Sequence, residues 1–593
     1  MRTGSRAGSR AGSRGRFDVW APLPSRVRLS VGDDVLPMER GADGWWSPAG
    51  EVPVGEVDYG YLLDERPDPL PDPRSRRQPQ GVHGRSRTVD PDAFRWTDGS
   101  WTGRQLAGSV IYELHVGAFT PGGTLDEVLG KLDHLRDIGV DFVEIMPVNA
   151  FNGRWNWGYD GVLWYAVHEE YGGPMAYQRL VDGCHAAGLG VIQDVVYNHL
   201  GPSGNYLPLY GPYLSEEGAS TWGAHVNLDG QGAAEVRRYI LDNVTMWFED
   251  FHVDALRLDA VHALSDRSRT HLLEEMAVEV AALSSYRNRP MTLIAESDLN
   301  DPLLVRPREA GGWGLDAQWS DDYHHAVHVA LTRDTSGYYA DFEQLSALGK
   351  VCEKGFFHDG TYSSFRGHAH GHPVDTGHMP TWRLVVCNQN HDQVGNRAAG
   401  DRPSDPSPGH LDDDQLACAA LLTLAGPFTP MLFMGEEWAA SSPFCFFTSH
   451  PEPELGRATG EGRMKEFAKM GWDPAVVPDP QDPQTYLRSK LDWAELTSGR
   501  HAVLLECYRR LAGLRRTIPA LTDPSFSSTS CTAEEETRVF TMQRGDVLVV
   551  VNFGDAPATV PVDPREVLFE TPSGVTLADG NLTVPPHAGA LLR

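Results

Sequence analysis

Between Val110 and Glu437 the chain carries eight short, mainly apolar segments, and most are followed by a stretch with the 3.6-residue periodicity of a helix. They read VIYELHV, VDFVEIMPV, GLGVIQDVV, VDALRLDAV, TLIAES, GLDAQW, RLVVCN and PMLFMGEE. A strand that is apolar on both faces has to be covered on both, as in a parallel sheet flanked by helices. Eight such strands predict an α/β fold in which the sheet closes into a (β/α)8 TIM barrel. The helical stretches are explicit in places. Leu125, Val128, Leu129, Leu132, Leu135 and Ile138 fall at helical spacing, with Thr124 and Glu127 as a capping box and Gly139 as a C-cap, so one helix is predicted over 124–139. Others are predicted from Met175 to Ala187, over AAEVRRYILDNVTMWFEDF, from Leu272 to Leu283 and near Asp414 to Leu424.

The flanks have a different texture. Residues 1–16 repeat Gly-Ser-Arg-Ala with a period of four and contain no acid, so they cannot offset their own ordering entropy and read as a disordered, Arg-rich tail. Residues 17–104 hold short apolar runs broken by Pro, Gly and Asp, the pattern of an N-terminal β-sandwich, with the Arg- and Pro-rich piece from Pro67 to Gly84 as a loop on it. The barrel is expected over 105–515. The piece at about 197–232 is too long for a plain βα loop and reads as an insertion over the C-terminal face. Residues 516–593 return to strand periodicity in RVFTMQ, DVLVVVNF and ATVPV, which predicts a C-terminal β-sandwich.

Charge and cysteine usage narrow the function classes. A formal net charge of −30 removes general nucleic-acid binding, which needs a basic face, and favours a neutral polar partner. No run approaches the ~20 apolar residues of a membrane span, and the first residues have no apolar leader run, so no membrane partner and a cytoplasmic protein are expected. The seven cysteines are scattered, odd in number and without a CxxC pair, as in reduced thiols.

In a barrel of this kind the reactive groups sit where strands end, which singles out DVVYNH (194–199), RLDAVH (257–262), IAES (294–297) and NQNHDQ (388–393). Asp259, Glu296 and Asp392 then share one rim although they are far apart in sequence. A strand-terminal Asp often serves only as the N-cap of the next helix. Three carboxylates on one rim are instead what glycoside hydrolysis requires: a nucleophile, an acid, and negative charge beside a cationic transition state. Arg257 precedes Asp259 by two positions and so points to the same side of its strand, where it would keep Asp259 ionised. Glu296 has the opposite task and must hold its proton near neutral pH, which partial burial and neighbouring acids favour.

These four segments, with all three carboxylates, the Arg and both His present, resemble the characteristic segments of the α-amylase superfamily of glycoside hydrolases over residues 110 to about 500. Within it the chain is similar to the malto-oligosyltrehalose trehalohydrolases, through YELHVGAFT, NWGYDGV, DVVYNHLGPSGNYL, AESDLNDP, GLDAQWSDDYHHAVH, FFHDGTYSSFRG, NQNHDQVGNRAAGDR and MLFMGEEWAAS. The resemblance implies cleavage of the α-1,4 bond beside the terminal trehalose unit of maltooligosyltrehalose, or action on a related α-glucan. It implies Asp259 as nucleophile, Glu296 as acid/base and Asp392 as transition-state stabiliser. It further implies that Tyr159 stacks on the sugar, that His199 and His391 bond its hydroxyls, and that Asp194 orients Arg257; His262 of the same segment as Asp259 joins the substrate-binding set. No cofactor is called for, and Asn198 is read as a hydrogen-bonding residue with no required metal. Two rivals share these features: a glycogen branching or debranching enzyme of the same superfamily, and a glucan-binding protein that has lost catalysis.

Other features point less sharply. His368, His370, His372 and His378 lie in one Gly-rich stretch of a kind that can bind a transition metal, although no acid or Cys partner stands out. Asp321, Asp322, His324 and His325 follow the sixth strand and are candidate substrate contacts. Trp155, Trp157 and Trp222 serve either as sugar platforms or as core. The Gly pairs at 122–123 and 172–173 lack phosphate-loop spacing and read as turns.

Overall fold

A computed structural model describes residues 15–220, 223–405, 410–469, 476–563 and 566–593. Residues 1–14 of the expected tail, and Trp222, lie outside the described residues.

All eight predicted barrel strands form. They are β1 (Ile111–Leu114), β2 (Phe142–Ile145), β3 (Gly190–Val195), β4 (Ala255–Leu258), β5 (Thr292–Ala295), β6 (Ala317–Trp319), β7 (Leu384–Cys387) and β8 (Thr429–Phe433), paired in chain order into a closed barrel with β8 against β1. Neighbours are parallel, as between β4 and β5, where Arg257 pairs with Ile294. Ile111, Phe142, Ile192, Ala255, Ile294, Ala317, Val385 and Met431 form one buried apolar cluster inside the ring. Because strand side chains alternate, the residue two positions further along each strand points the same way, one layer nearer the C-terminal rim. On five strands that residue is a carboxylic acid or an arginine: Glu113, Glu144, Asp194, Arg257 and Glu296. An apolar plug is thus overlaid by four carboxyl groups and one guanidinium, and the site stands on that layer.

The helices follow the predicted places with one difference. The single helix expected over 124–139 is two, Leu125–Leu129 and Leu132–Asp137. At the join the Gly130 and Lys131 N–H groups bond three residues back, to Glu127 and Val128, and Lys131 has a non-helical φ of −115°. The apolar spacing runs on through the break, and glycine, worth ~1 kcal/mol less than alanine inside a helix, is where the chain yields. Thr124 accepts from the Glu127 N–H as expected, but the Glu127 carboxylate accepts from Gly122, leaving the capping box half made. Gly139 does take the left-handed φ of +83°.

Six strands between Val19 and Arg87 make an antiparallel sheet in which Asp34–Arg40 pairs first with Arg28–Val31 and then with Trp46–Pro48, so one strand serves two halves. The stretch from Pro67 to Gly84 is more than a surface loop. Arg74 donates to Tyr165 at 2.8 Å and to Asp242 at 2.9 Å, Arg77 reaches Glu169 at 2.8 Å, and the Tyr210 and Tyr239 hydroxyls donate to the Pro71 and Pro73 carbonyls, which ties this sheet to the barrel. Past β3 lies the antiparallel pair Leu214–Ser220 and Gly223–Val226. Beyond Thr529 are a five-stranded and a three-stranded sheet. Among the described residues no helix is long and apolar enough to cross a membrane.

The segment from Met146 to Val162 carries Tyr159 and turns sharply ahead of it. Gly158 has φ +109°, and a Cβ there would stand 2.1 Å from the Pro147 carbonyl oxygen. Gly158→Ala therefore has to move Tyr159. We expect a loss of about 1–3 kcal/mol in stability and a fall of at least about tenfold in turnover, read by thermal melting and steady-state assay.

Candidate active site

The C-terminal rim gathers the residues singled out from the strand ends. Arg257, wholly buried on β4, holds Asp194 of β3 with Nη1 at 2.8 and 2.9 Å from its two oxygens. The same nitrogen lies 2.8 Å from Asp259 Oδ1, and Nη2 lies 3.2 Å from Glu296 Oε2. Its ring-facing side lies on Trp319, 4.2 Å from the centroid. A cation without water is stable only when paired, so a single guanidinium fixes three carboxylates relative to one another. Those acids, together with the Tyr159 hydroxyl, hold Arg257 charged well above the usual guanidinium range against the pull of burial.

Asp259 is further held by Asn198, whose Nδ2 donates to its Oδ2 at 2.7 Å and to its backbone carbonyl at 2.9 Å. Asn198 is thus a hydrogen-bonding residue that holds Asp259. Glu296 accepts from the Ala260 N–H, and Ala260 sits at a left-handed φ of +39° just past Asp259. Burial, followed by the Asp259 and Asp392 charges, pushes Glu296 up to about 8, against the pull of Arg257 and of the Ala260 N–H. A fifth of its side chain still faces the open cleft, so the shift belongs to a site that bound sugar would close further. Asp194, the deeper acid, is lifted to about 6 by burial in spite of Arg257.

Tyr159 and His391 complete the core. The Tyr159 hydroxyl donates to Asp194 at 2.7 Å and lies 2.8 Å from His391 Nε2, with the two rings stacked at 5.1 Å. Desolvation alone would lower His391, but Asp392 and Glu113 outweigh it and push it up to about 10. Asp392, in the short helix His391–Gly395, faces His391 Nε2 at 3.5 Å and keeps over a third of its side chain open to solvent.

Three expectations come out differently. Both ring nitrogens of His199 are engaged by protein oxygens, Nδ1 by Asn198 and Nε2 by the Tyr159 carbonyl at 3.0 Å, so in this structure His199 braces Asn198 and Tyr159 and presents no free nitrogen to a sugar. His262 stands apart from the cluster, 3.8 Å from Asp298. Of the residues after β6, Asp321 is pushed up to about 7 by burial with Asp392 its foremost charged neighbour. Asp322 instead accepts from Asn300 and from the Phe357 and His358 N–H groups. His324 and His325 are kept neutral by burial and pack among the rings of His328, Tyr339 and Phe342.

The Gly-rich histidines do not converge. His368 and His370 lie two apart on a strand with ring centroids 6.3 Å apart, His378 pairs with Asp375, and among the described residues no group of three His, Cys, Asp or Glu is placed to hold a metal. Trp157 is core, stacked on Phe444 at 5.2 Å, and Trp155 stacks on Tyr486. Two ionisable residues at the foot of the site, Glu113 and Glu144, went unmarked from sequence. The available signal was a carboxylate inside an apolar strand, two residues past an interior apolar position.

Comparison with known proteins shows the family and the fold. The alpha amylase catalytic domain model matches residues 88–208, and a domain of unknown function matches 524–591. The chain is 59% identical over 586 residues to the malto-oligosyltrehalose trehalohydrolase of Rhizobium sp. (strain M-11), covering 98% of each, and 51% identical over 582 residues to that of Mycobacterium tuberculosis (strain H37Rv), covering 97% of this chain and 99% of the relative. A crystal structure from Salmonella typhimurium, assigned as an alpha amylase, superposes with a TM-score of 0.87 at 34% identity over 97% of both chains. A branching enzyme of Gloeobacter violaceus is 29% identical over 54% of this chain. Matched from end to end at such identity, with the α-amylase acids converged on one barrel rim, the chain belongs to the malto-oligosyltrehalose trehalohydrolase family of glycoside hydrolases.

Proposed function

We propose that this enzyme cleaves the α-1,4-glucosidic bond beside the terminal trehalose unit of maltooligosyltrehalose, releasing trehalose with retention at the anomeric carbon. The observation that carries the reading is that Asp259 and Glu296 contact the two terminal nitrogens of one guanidinium. Both nitrogens share a carbon, which keeps the two acids side by side around one cation, and a retaining enzyme needs its nucleophile and acid close together, about 5–5.5 Å apart.

Asp259, aimed by Arg257 and Asn198, attacks the anomeric carbon while Glu296 passes its proton to the leaving oxygen, breaking the bond to the aglycone. Glu296, now a carboxylate, takes a proton from water, whose oxygen displaces Asp259 and restores both groups. Asp392 stands beside the ring where positive charge develops, and Asp194 keeps Arg257 from drawing Asp259 out of line. Tyr159 offers its ring to the sugar, with His391 behind it. His262 and Asp298, which follow β4 and β5, face each other at 3.8 Å.

Purified enzyme given maltooligosyltrehalose should yield free trehalose and a shortened maltooligosaccharide on chromatography. No trehalose, with new branches in amylose or loss of branches from glycogen, would replace this reading by a branching or debranching one. Asp259→Asn should lower kcat by about 10⁴- to 10⁶-fold while retaining the fold and glucan binding, as removal of a nucleophile does; turnover at the native rate would discard the mechanism. Because the acid form of Glu296 is the active one and is lost as pH rises through about 8, kcat/KM should fall on the alkaline side near that pH. Asp392 helps to raise Glu296, so in the residual activity of Asp392→Asn that limb should move to lower pH.

A further inference from the structure

Glu113 lies beneath the site and touches no atom a sugar would reach. We infer that Glu113 is a positioning residue for the reaction: its carboxylate clamps His391 at two points and thereby orients Tyr159, the ring on which the sugar would stack. The inference rests on the mechanism proposed above. Glu113 is 1% exposed on β1, and its two oxygens accept two separate donors from one residue, the His391 backbone N–H at 2.8 Å and Nδ1–H at 2.6 Å. With Nδ1 so occupied, the Nε2–H of the imidazolium is left to donate to the Tyr159 hydroxyl, whose own proton goes to Asp194. A line of hydrogen bonds therefore runs from Glu113 through His391 and Tyr159 to Asp194 and on to Arg257, which holds the nucleophile.

The neighbouring acid makes the assignment specific. Glu144 pairs in register with Glu113 on the adjacent strand and is fully buried, yet neither of its carboxyl oxygens has a hydrogen-bond partner. Burial, then Glu113 and Asp194, drive it well above the usual carboxylate range, so it is neutral. Of the two acids, Glu113 alone has hydrogen-bond donors, and both come from His391. The other groups facing His391 are Asp392 on its own helix, Arg257 of β4, Asp194 of β3, Tyr159 from the loop after β2 and His115 just past β1. Arg257 opposes the imidazolium and Asp392 is partly solvated, so Glu113 is the buried counter-charge.

The test compares Glu113→Gln, Glu113→Asp, His391→Gln and the double variant Glu113→Gln/His391→Gln, all as ratios to the native enzyme on whatever α-glucan it turns over. A failure of the trehalose reading appears in the native products, independently of these ratios. Glu113→Gln should lower kcat by about 10- to 100-fold, the range for loss of a charge-assisted hydrogen bond, with KM within about twofold. Glu113→Asp should restore part of the rate. The double variant should be no slower than His391→Gln, because both changes break one line of contacts. Losses that multiply in the double variant, or a Glu113→Gln enzyme within twofold of native kcat, would overturn the assignment. Should Glu113→Gln fail to fold, Glu113→Asp carries the test: a fall in kcat at constant KM and melting temperature supports the role, and an unchanged kcat overturns it.

Discussion

One buried guanidinium organises the catalytic end of this barrel. Arg257 has no exposed side-chain surface, and a cation in that position is tolerated only because Asp194, Asp259 and Glu296 surround it. The dependence is mutual, since the three acids would repel one another without it. The charge it carries also divides labour among them. Glu296, reached at 3.2 Å and sharing its space with Asp259 and Asp392, is still lifted to about 8 by burial. On the mechanism proposed above, a proton donor and a nucleophile are made from like side chains by the company each keeps.

The cluster can exist because of what lies below it. The ring of Ile111, Phe142, Ile192, Ala255, Ile294, Ala317, Val385 and Met431 closes the barrel to water and makes every polar group in the next layer answerable for its partners. Most answer with hydrogen bonds. Glu144 answers by keeping a proton. The site is stiff for the same reason: Glu113, His391, Tyr159, Asp194 and Arg257 each hold the next through buried contacts.

Where the reading from sequence and the structure part, the cause is a competition that a one-dimensional pattern does not contain. Six apolar residues at helical spacing predicted one helix over 124–139, and the spacing is real, but Gly130 and Lys131 break the ladder without disturbing which side faces the core. His199 was expected to bond the sugar because its segment matches the family's. Its nitrogens are instead taken by Asn198 and the Tyr159 carbonyl, groups that reach it only once β3 and the loop after β2 are side by side. The stretch from Pro67 to Gly84, a loop by composition, became the fastening between the N-terminal sheet and the barrel because its arginines found acids on barrel helices.

What the amino-acid sequence determined by itself was periodic and local: eight apolar strands, the acids at their ends, and the two-residue step that puts Arg257 and Asp259 on one side of β4. These follow from backbone geometry, which repeats every two residues in a strand whatever surrounds it. Only the tertiary structure decided which of these groups meet. Glu113 and His391 are 278 positions apart and are brought to 2.6 Å by the closing of β8 onto β1. Closure removes the water from between such groups, and in a dry interior each charge must find a partner or give up its proton.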